Sequence, residues 1–176
     1  MNESEGVRRY YRGEVRDYAD QYAEDYSGYP ANTKRLNLIL GRVAVHRPRT
    51  LLDCGCGEAS PMSRLDDAHV EVWGFDFVDE MVAQAKLTLA PKGMQDRVWL
   101  GDITDLATFW PVGREVPKNF DMTIAMGVFP HLRDEVGALR HKRSMKWPEL
   151  GDDVLQAHAF GSDGFVASAT NAEAMK

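Results

Sequence analysis

Thr50-Leu51-Leu52-Asp53-Cys54-Gly55-Cys56-Gly57-Glu58 is a short apolar run that delivers an acid into a glycine-rich turn. The run predicts a strand, and the residues after the turn predict a helix near Ala59 to Asp66. Gly55 and Gly57 can take positive φ and carry no Cβ, so the chain can turn sharply there and come close to a ligand. Asp53 stands two residues before the first glycine, at the carboxyl end of the strand. A pyrophosphate at such a turn wants helix N–H groups and no adjacent anion, whereas a carboxylate suits a cationic ligand.

Three further segments repeat the pattern. Val70 to Asp76 reads as a second strand ending in an acid, and Asp76 falls 23 residues after Asp53, the usual place for a ribose-binding acid. Arg97 to Ile103 reads as a third strand closing on Gly101-Asp102-Ile103, and Phe120 to Leu132 as a fourth strand and its loop. Helices are expected near Asp79 to Leu89, Asp105 to Trp110 and Leu132 to Met145, with residues 111–119 as an exposed loop. Alternation of strand and helix implies an α/β, Rossmann-like, mostly parallel sheet with helices on both faces and right-handed crossovers. Ligands on such sheets sit outside the carboxyl ends of the strands, where Asp53, Asp76, Asp102 and Gly127 all fall.

Taken in order, these four segments resemble class I S-adenosylmethionine-dependent methyltransferases. The resemblance implies S-adenosylmethionine as cofactor and S-adenosylhomocysteine as product. It implies that Asp53 holds the methionine ammonium beside Gly55, Cys56 and Gly57, and that Asp76 binds the ribose hydroxyls. Phe77 and Met81 then pack on adenine, Asp102 with Ile103 reads the adenine edge, and Gly127 with Val128 forms the floor beneath the donor methyl. A basic residue near the segment Tyr29 to Leu36 reaches the methionine carboxylate in similar proteins, which makes Arg35 the candidate; a plain surface arginine is the alternative. His131, in the loop facing the acceptor, is the candidate general base, because imidazole suits proton removal at neutral pH. Its competing reading is a histidine that caps the following helix. The implied activity is methyl transfer to a small-molecule O- or N-acceptor. The competing reading is a cofactor-binding or interaction module without turnover, and a Rossmann oxidoreductase is disfavoured by Asp53 and the absent third glycine.

All six tyrosines lie in the first 30 residues. Tyr18, Tyr22, Tyr26 and Tyr29 are spaced four, four and three, one aromatic stripe if helical. The stripe either packs an N-terminal helix onto the sheet or closes over the cofactor, where a tyrosine such as Tyr22 could stabilise a sulfonium by cation–π attraction. Pro30 is expected to end that helix, and Asn32 or Thr33 to cap the next, whose apolar positions are Leu36, Ile39, Leu40 and Val43. The division expected is a helical cap over residues 1–46 and an α/β domain over 47–176, forming one unit. Ala59 stands where many relatives have a third glycine. Val78 stands where a capping serine is common, so Asp79 is expected to take the cap.

The formal charge of −6 on 176 residues disfavours nucleic acid as substrate, because phosphate binding needs clustered Lys and Arg. Basic residues do gather between Arg133 and Lys146, a pattern that reads as a solvated helix face. No apolar run approaches the roughly 18 residues of a membrane span and no leader is evident, so a cytoplasmic protein is expected. Cys54 and Cys56 point to opposite faces of an extended segment and are not expected to bridge. A zinc site would need further ligands that no other cysteine supplies.

After Met145 the family pattern fades. Ser162-Asp163-Gly164 and Phe165 to Ala169 read as a delayed turn and fifth strand, leaving the C-terminal strands incomplete. An open sheet edge invites strand addition, so a homo-oligomer through that edge is expected.

Overall fold

The apolar runs form strands β1 (Thr50–Cys54), β2 (Glu71–Asp76), β3 (Val98–Leu100) and β4 (Met122–Ile124). They lie in one parallel sheet in the order β3-β2-β1-β4. This computed structural model describes residues 3–18, 20, 30–65, 70–105, 110–117, 120–128, 155–160 and 164–169. The helices are α1 (Glu3–Tyr18), α2 (Pro30–His46), α3 (Ser60–Leu65) and α4 (Asp79–Leu89). The fold is α/β and Rossmann-like, as the alternation of elements implied.

Side chains alternate across a strand, so the sheet has two apolar faces. Leu51, Val72, Val98, Met122 and Ile124 share one buried cluster with Leu36, Ile39 and Val43 of α2, Met62 and Leu65 of α3, and Ala85 and Leu89 of α4. Leu52, Cys54, Phe75 and Trp99 face the other way, onto Ile103, Phe120 and Ala125. There Trp99 stacks on Trp110 with ring centroids 6.2 Å apart and an interplanar angle of 20°. Truncating a buried leucine on either face costs about 2–5 kcal/mol.

Register is set from the amino end of the strands. Asp121 Oδ2 accepts the N–H groups of Arg49 (2.8 Å) and Thr50 (3.1 Å), and the Asp121 N–H donates back to Thr50 Oγ1 at 3.0 Å. Asp53 therefore pairs across the sheet with Gly74 on one side and Ile124 on the other. The carboxyl ends of β1, β2 and β4 come level, which is what places the site.

Several local expectations are corrected. Pro30 is the first residue of α2, a position its fixed φ and missing N–H suit, and the stretch expected to end at it, residues 21–29, lies outside the described residues. Asn32 and Thr33 consequently lie inside the first turn of α2 and do not cap it. Asp79 does not cap α4 either: Val78 is the N-cap, with no side-chain cap hydrogen bond, and its own N–H goes to Asp76 Oδ1 at 2.9 Å. The fifth strand expected over 165–169 is the second arm of an antiparallel hairpin, β5 (Leu155–Phe160) with β6 (Gly164–Ala169). The physical reason is the link: residues 161–163 suffice for a hairpin, whereas a parallel return needs a dozen or more residues. The expected helix over Leu132 to Met145, and residues 106–109 of the one expected from Asp105, lie outside the described residues. So do Tyr22, Tyr26, Tyr29 and His131.

Candidate functional site

The glycine turn is tied to β2 by three backbone donors. The N–H groups of Gly55 and Cys56 both donate to the Phe75 carbonyl, at 2.9 and 3.0 Å. The Gly57 N–H donates to Asp76 Oδ2 at 2.9 Å. Gly55 has φ +72°, and a Cβ there would overlap Val128 Cγ2, so only glycine fits between the turn and Val128, four residues beyond the end of β4. Under the turn, a Cβ on Gly74 would lie 2.6 Å from Met62 Sδ and 3.0 Å from Cys56 Cβ. The turn is seated on the bare backbone of β2.

Asp76 is the hub of the crevice. Its two oxygens accept Gly57 N–H and Val78 N–H, and its carbonyl accepts the Gly101 N–H at 2.9 Å. One residue thus fixes the turns that follow β1, β2 and β3. Burial pushes the Asp76 carboxyl above the usual carboxylate range, against the pull of the N–H groups of Val78, Gly57 and Phe77. Glu58 is raised by burial too, opposed chiefly by its hydrogen bonds to Ser60. Glu58 Oε1 accepts the Ser60 N–H at 3.1 Å, and Oε2 lies 3.5 Å from Thr88 Oγ1, linking the turn to α4. Cys56, buried beside these acids, is raised well above the ordinary thiol value by burial first and then by the charges of Asp76, Asp53 and Glu58. Three buried carboxylates at one turn make a negative field that favours a cationic ligand.

The structure brings most of the expected residues to this end of the sheet. Asp53 is 2% exposed at the end of β1. Ile103 is buried, and Asp102 Oδ1 accepts the Thr104 N–H and hydroxyl at 2.8 and 2.6 Å. Phe77 is half-buried, Met81 is buried, and Gly127, at φ +74°, leads into the half-buried Val128. Arg35 is 6% exposed, which removes the surface-arginine alternative, and its Nη1 donates to the buried Asn32 Oδ1 at 3.2 Å.

Three residues now join the site. Tyr18, the first residue of the tyrosine stripe, lies against the turn: a Cβ on Gly57 would sit 3.2 Å from its ring. Glu58 was visible only as an acid after the second glycine. Arg8 lies over the Phe77 ring, its Cζ 5.5 Å from the centroid, and its signal was the helical spacing to Tyr11 and Tyr18. Among the described residues no group of three or more His, Cys, Asp or Glu is arranged to hold a metal, and both cysteines are buried thiols outside any disulfide. No helix among the described residues is long and apolar enough to cross a membrane.

Comparison with known proteins agrees with this geometry. A family model described as a methyltransferase domain matches residues 51–145. No curated protein matches the chain in sequence. Among solved structures, magnesium protoporphyrin IX methyltransferase from Synechocystis PCC 6803 with bound S-adenosylmethionine superposes with TM-score 0.66 at 16% identity, covering 97% of this chain and 81% of that one. A methyltransferase from Geobacter sulfurreducens in complex with S-adenosylhomocysteine gives TM-score 0.53 at 18% identity, covering 81% of this chain and 55% of that one. The [4+2]-cyclase SpnF gives TM-score 0.56 at 22% identity, covering 77% of this chain and 47% of that one. At these identities the solved structures speak for the fold, and the family model, which spans more than half of the sequence, speaks for descent. The chain belongs to the methyltransferase-domain family, among the class I S-adenosylmethionine-dependent methyltransferases.

Proposed function

We propose that this chain binds S-adenosylmethionine in the crevice around Asp76 and transfers its methyl group to a small-molecule O- or N-acceptor. The observation that carries the reading is Asp76, buried at the end of β2 and holding the glycine turn through Gly57 N–H. Each of its oxygens already accepts one backbone donor and has lone-pair capacity for a ribose hydroxyl. The negative field of Asp53, Glu58 and Asp76 suits a sulfonium and an ammonium, and the buried Arg35 with Asn32 suits the methionine carboxylate. Phe77, Met81, Asp102 and Ile103 take the adenine, and Gly127 with Val128 lies beneath the reacting centre.

The cofactor supplies an activated methyl group, and the protein's share of the chemistry is alignment of the acceptor for in-line displacement. His131 is the proposed general base, and Tyr22, beyond Tyr18, a proposed part of the cover. Residues 1–46 serve as the cap of the domain formed by 47–176, and the protein works in the cytoplasm. Self-association through an open sheet edge is proposed as well.

The test is calorimetric titration with S-adenosylhomocysteine on the wild type and on Asp76→Ala, repeated with NAD. Micromolar binding that Asp76→Ala abolishes, with no response to NAD, supports the reading; no binding by the folded wild type ends it. The second reading is a cofactor-binding module without turnover; the chain spans about half the length of several of the structures it resembles. Binding without methyl transfer across a panel of acceptors would select it.

A further inference from the structure

Helix α1 crosses the carboxyl end of the sheet, and its two contacts there straddle Asp76. Tyr18 lies against Gly57, whose N–H bonds the Asp76 carboxylate, and the Arg8 guanidinium lies over Phe77, the next residue in the chain. Asp76 is 7% exposed and Asp53 2%, so the ligand-free protein leaves a ribose or an ammonium almost no opening to either carboxylate. A ligand reaches these acids only after a bordering element moves.

The elements around Asp76 are unequally held. Strands β1 and β2 and helix α4 bury side chains in the core, among them Leu51, Val72 and Leu89. On α1, Val7, Arg8, Tyr11, Val15 and Tyr18 recur at helical spacing, and all five are only half-buried. Arg12 ties α1 to the first turn of α4: its Nη2 lies 3.0 Å from Asp79 Oδ1, and its Nε lies 2.8 and 2.9 Å from the two Glu80 oxygens. These three side chains are 40% to 59% exposed, and exposed ion pairs are weak and screened by salt. Arg8 works against docking, because its Nε–H is buried there without a hydrogen-bond partner and regains water when α1 lifts. A segment with few buried contacts opens at the lowest cost in free energy.

We infer that α1 is a gate over the cofactor crevice and Arg12 its latch, a positioning residue whose ion pairs with Asp79 and Glu80 set how fast S-adenosylmethionine enters and leaves. This rests on the proposed S-adenosylmethionine reading and adds to it the route by which the ligand arrives.

The experiment is stopped-flow measurement of S-adenosylhomocysteine association and release by wild type, Arg12→Gln, Arg12→Lys and Glu80→Gln, at low and high salt. S-adenosylhomocysteine carries no net charge at neutral pH, so salt does not steer its approach. In wild type both rate constants are expected to rise with salt. Arg12→Gln at low salt is expected to raise both by about two- to tenfold, the scale of one or two exposed ion pairs, and to remove most of the salt dependence. Glu80→Gln is expected to do the same in part, and Arg12→Lys to recover part of the wild-type slowness through charge alone. A mere loosening of the fold lowers the competent fraction and cannot speed association. A wild type indifferent to salt, unchanged rates in Arg12→Gln, or faster release with unchanged association would each overturn the gate. Failure of the wild type to bind S-adenosylhomocysteine is a separate result, and it ends the cofactor reading and the gate with it.

Discussion

Gly55 and Val128 are in contact across the carboxyl end of the sheet, so closely that a Cβ at position 55 would overlap Val128 Cγ2. Replacing Gly55 by alanine adds that overlap to the strain of φ +72°. The expected loss is about 2–4 kcal/mol of stability. In Gly55→Ala/Val128→Ala the overlap is relieved and the backbone strain stays, so denaturant unfolding of the four-member cycle is expected to show a coupling of about 1–3 kcal/mol. Strictly additive single effects would mean that the two residues do not touch.

Glu58 gives the ligand-free protein a pH dependence of known sign. Its folded-state pKa is raised by burial, so the folded chain holds a proton that the unfolded chain has released. Stability on this account is greatest below the ordinary carboxylate value and falls as pH rises through the raised one; Asp76 acts in the same direction. Glu58→Gln keeps an acceptor for the Ser60 N–H and needs no charge buried. Its denaturation midpoint is expected to exceed that of wild type at pH 7, with the gap closing as pH falls towards 4. A constant gap across that range would rule the account out.

Ala59 occupies the third-glycine position with φ +70° and is fully buried. Alanine in that region is strained by about 1–2 kcal/mol, and deleting its buried methyl costs about 0.8 kcal/mol. Ala59→Gly is therefore expected to shift stability by less than about 1 kcal/mol. Ala85→Gly, equally buried but inside α4, is expected to cost about 2 kcal/mol. Equal losses at the two positions, in thermal or denaturant unfolding, would contradict the left-handed backbone at Ala59.

Cys54 and Cys56 are 1% and 4% exposed, and the Cys56 thiol is held protonated by burial and by the acids around it. Neither is expected to react with an aromatic disulfide reagent under native conditions at pH 8, and both are expected to react once the chain is unfolded. Rapid native modification of either thiol would show that the glycine turn opens.

The residues that carried their meaning in the sequence were those with one physical job. Asp53, Gly55, Gly57 and Asp76 were legible as positions because a strand end and a sharp glycine turn each demand a residue type at a fixed spacing. Residues whose role depends on what the chain brings from elsewhere were not. Pro30 fits either side of a helix boundary, and only the observed start of α2 decides. Val78 was read as ceding the cap to Asp79, yet Val78 holds the N-cap position, and its own N–H is taken by Asp76, two residues earlier. The hairpin of β5 and β6 was invisible while residues 155–160 were not recognised as a strand. Arg8 and Arg12 carried no signal of their partners in the sequence, because Phe77, Asp79 and Glu80 lie some seventy positions away.

The bond from Gly57 N–H to Asp76 Oδ2 carries a consequence for recognition. The acid expected to meet the ribose is fixed before any ligand arrives, so the cost of orienting it is met during folding and not during association. A crevice preorganised in this way discriminates by what it fails to satisfy: a 2′,3′-dideoxy analogue is expected to leave the second lone pair of each Asp76 oxygen, beside the backbone N–H it already accepts, without the proposed hydroxyl partner. On the proposed reading, selectivity for an intact ribose is expected to follow from the resting backbone around Asp76.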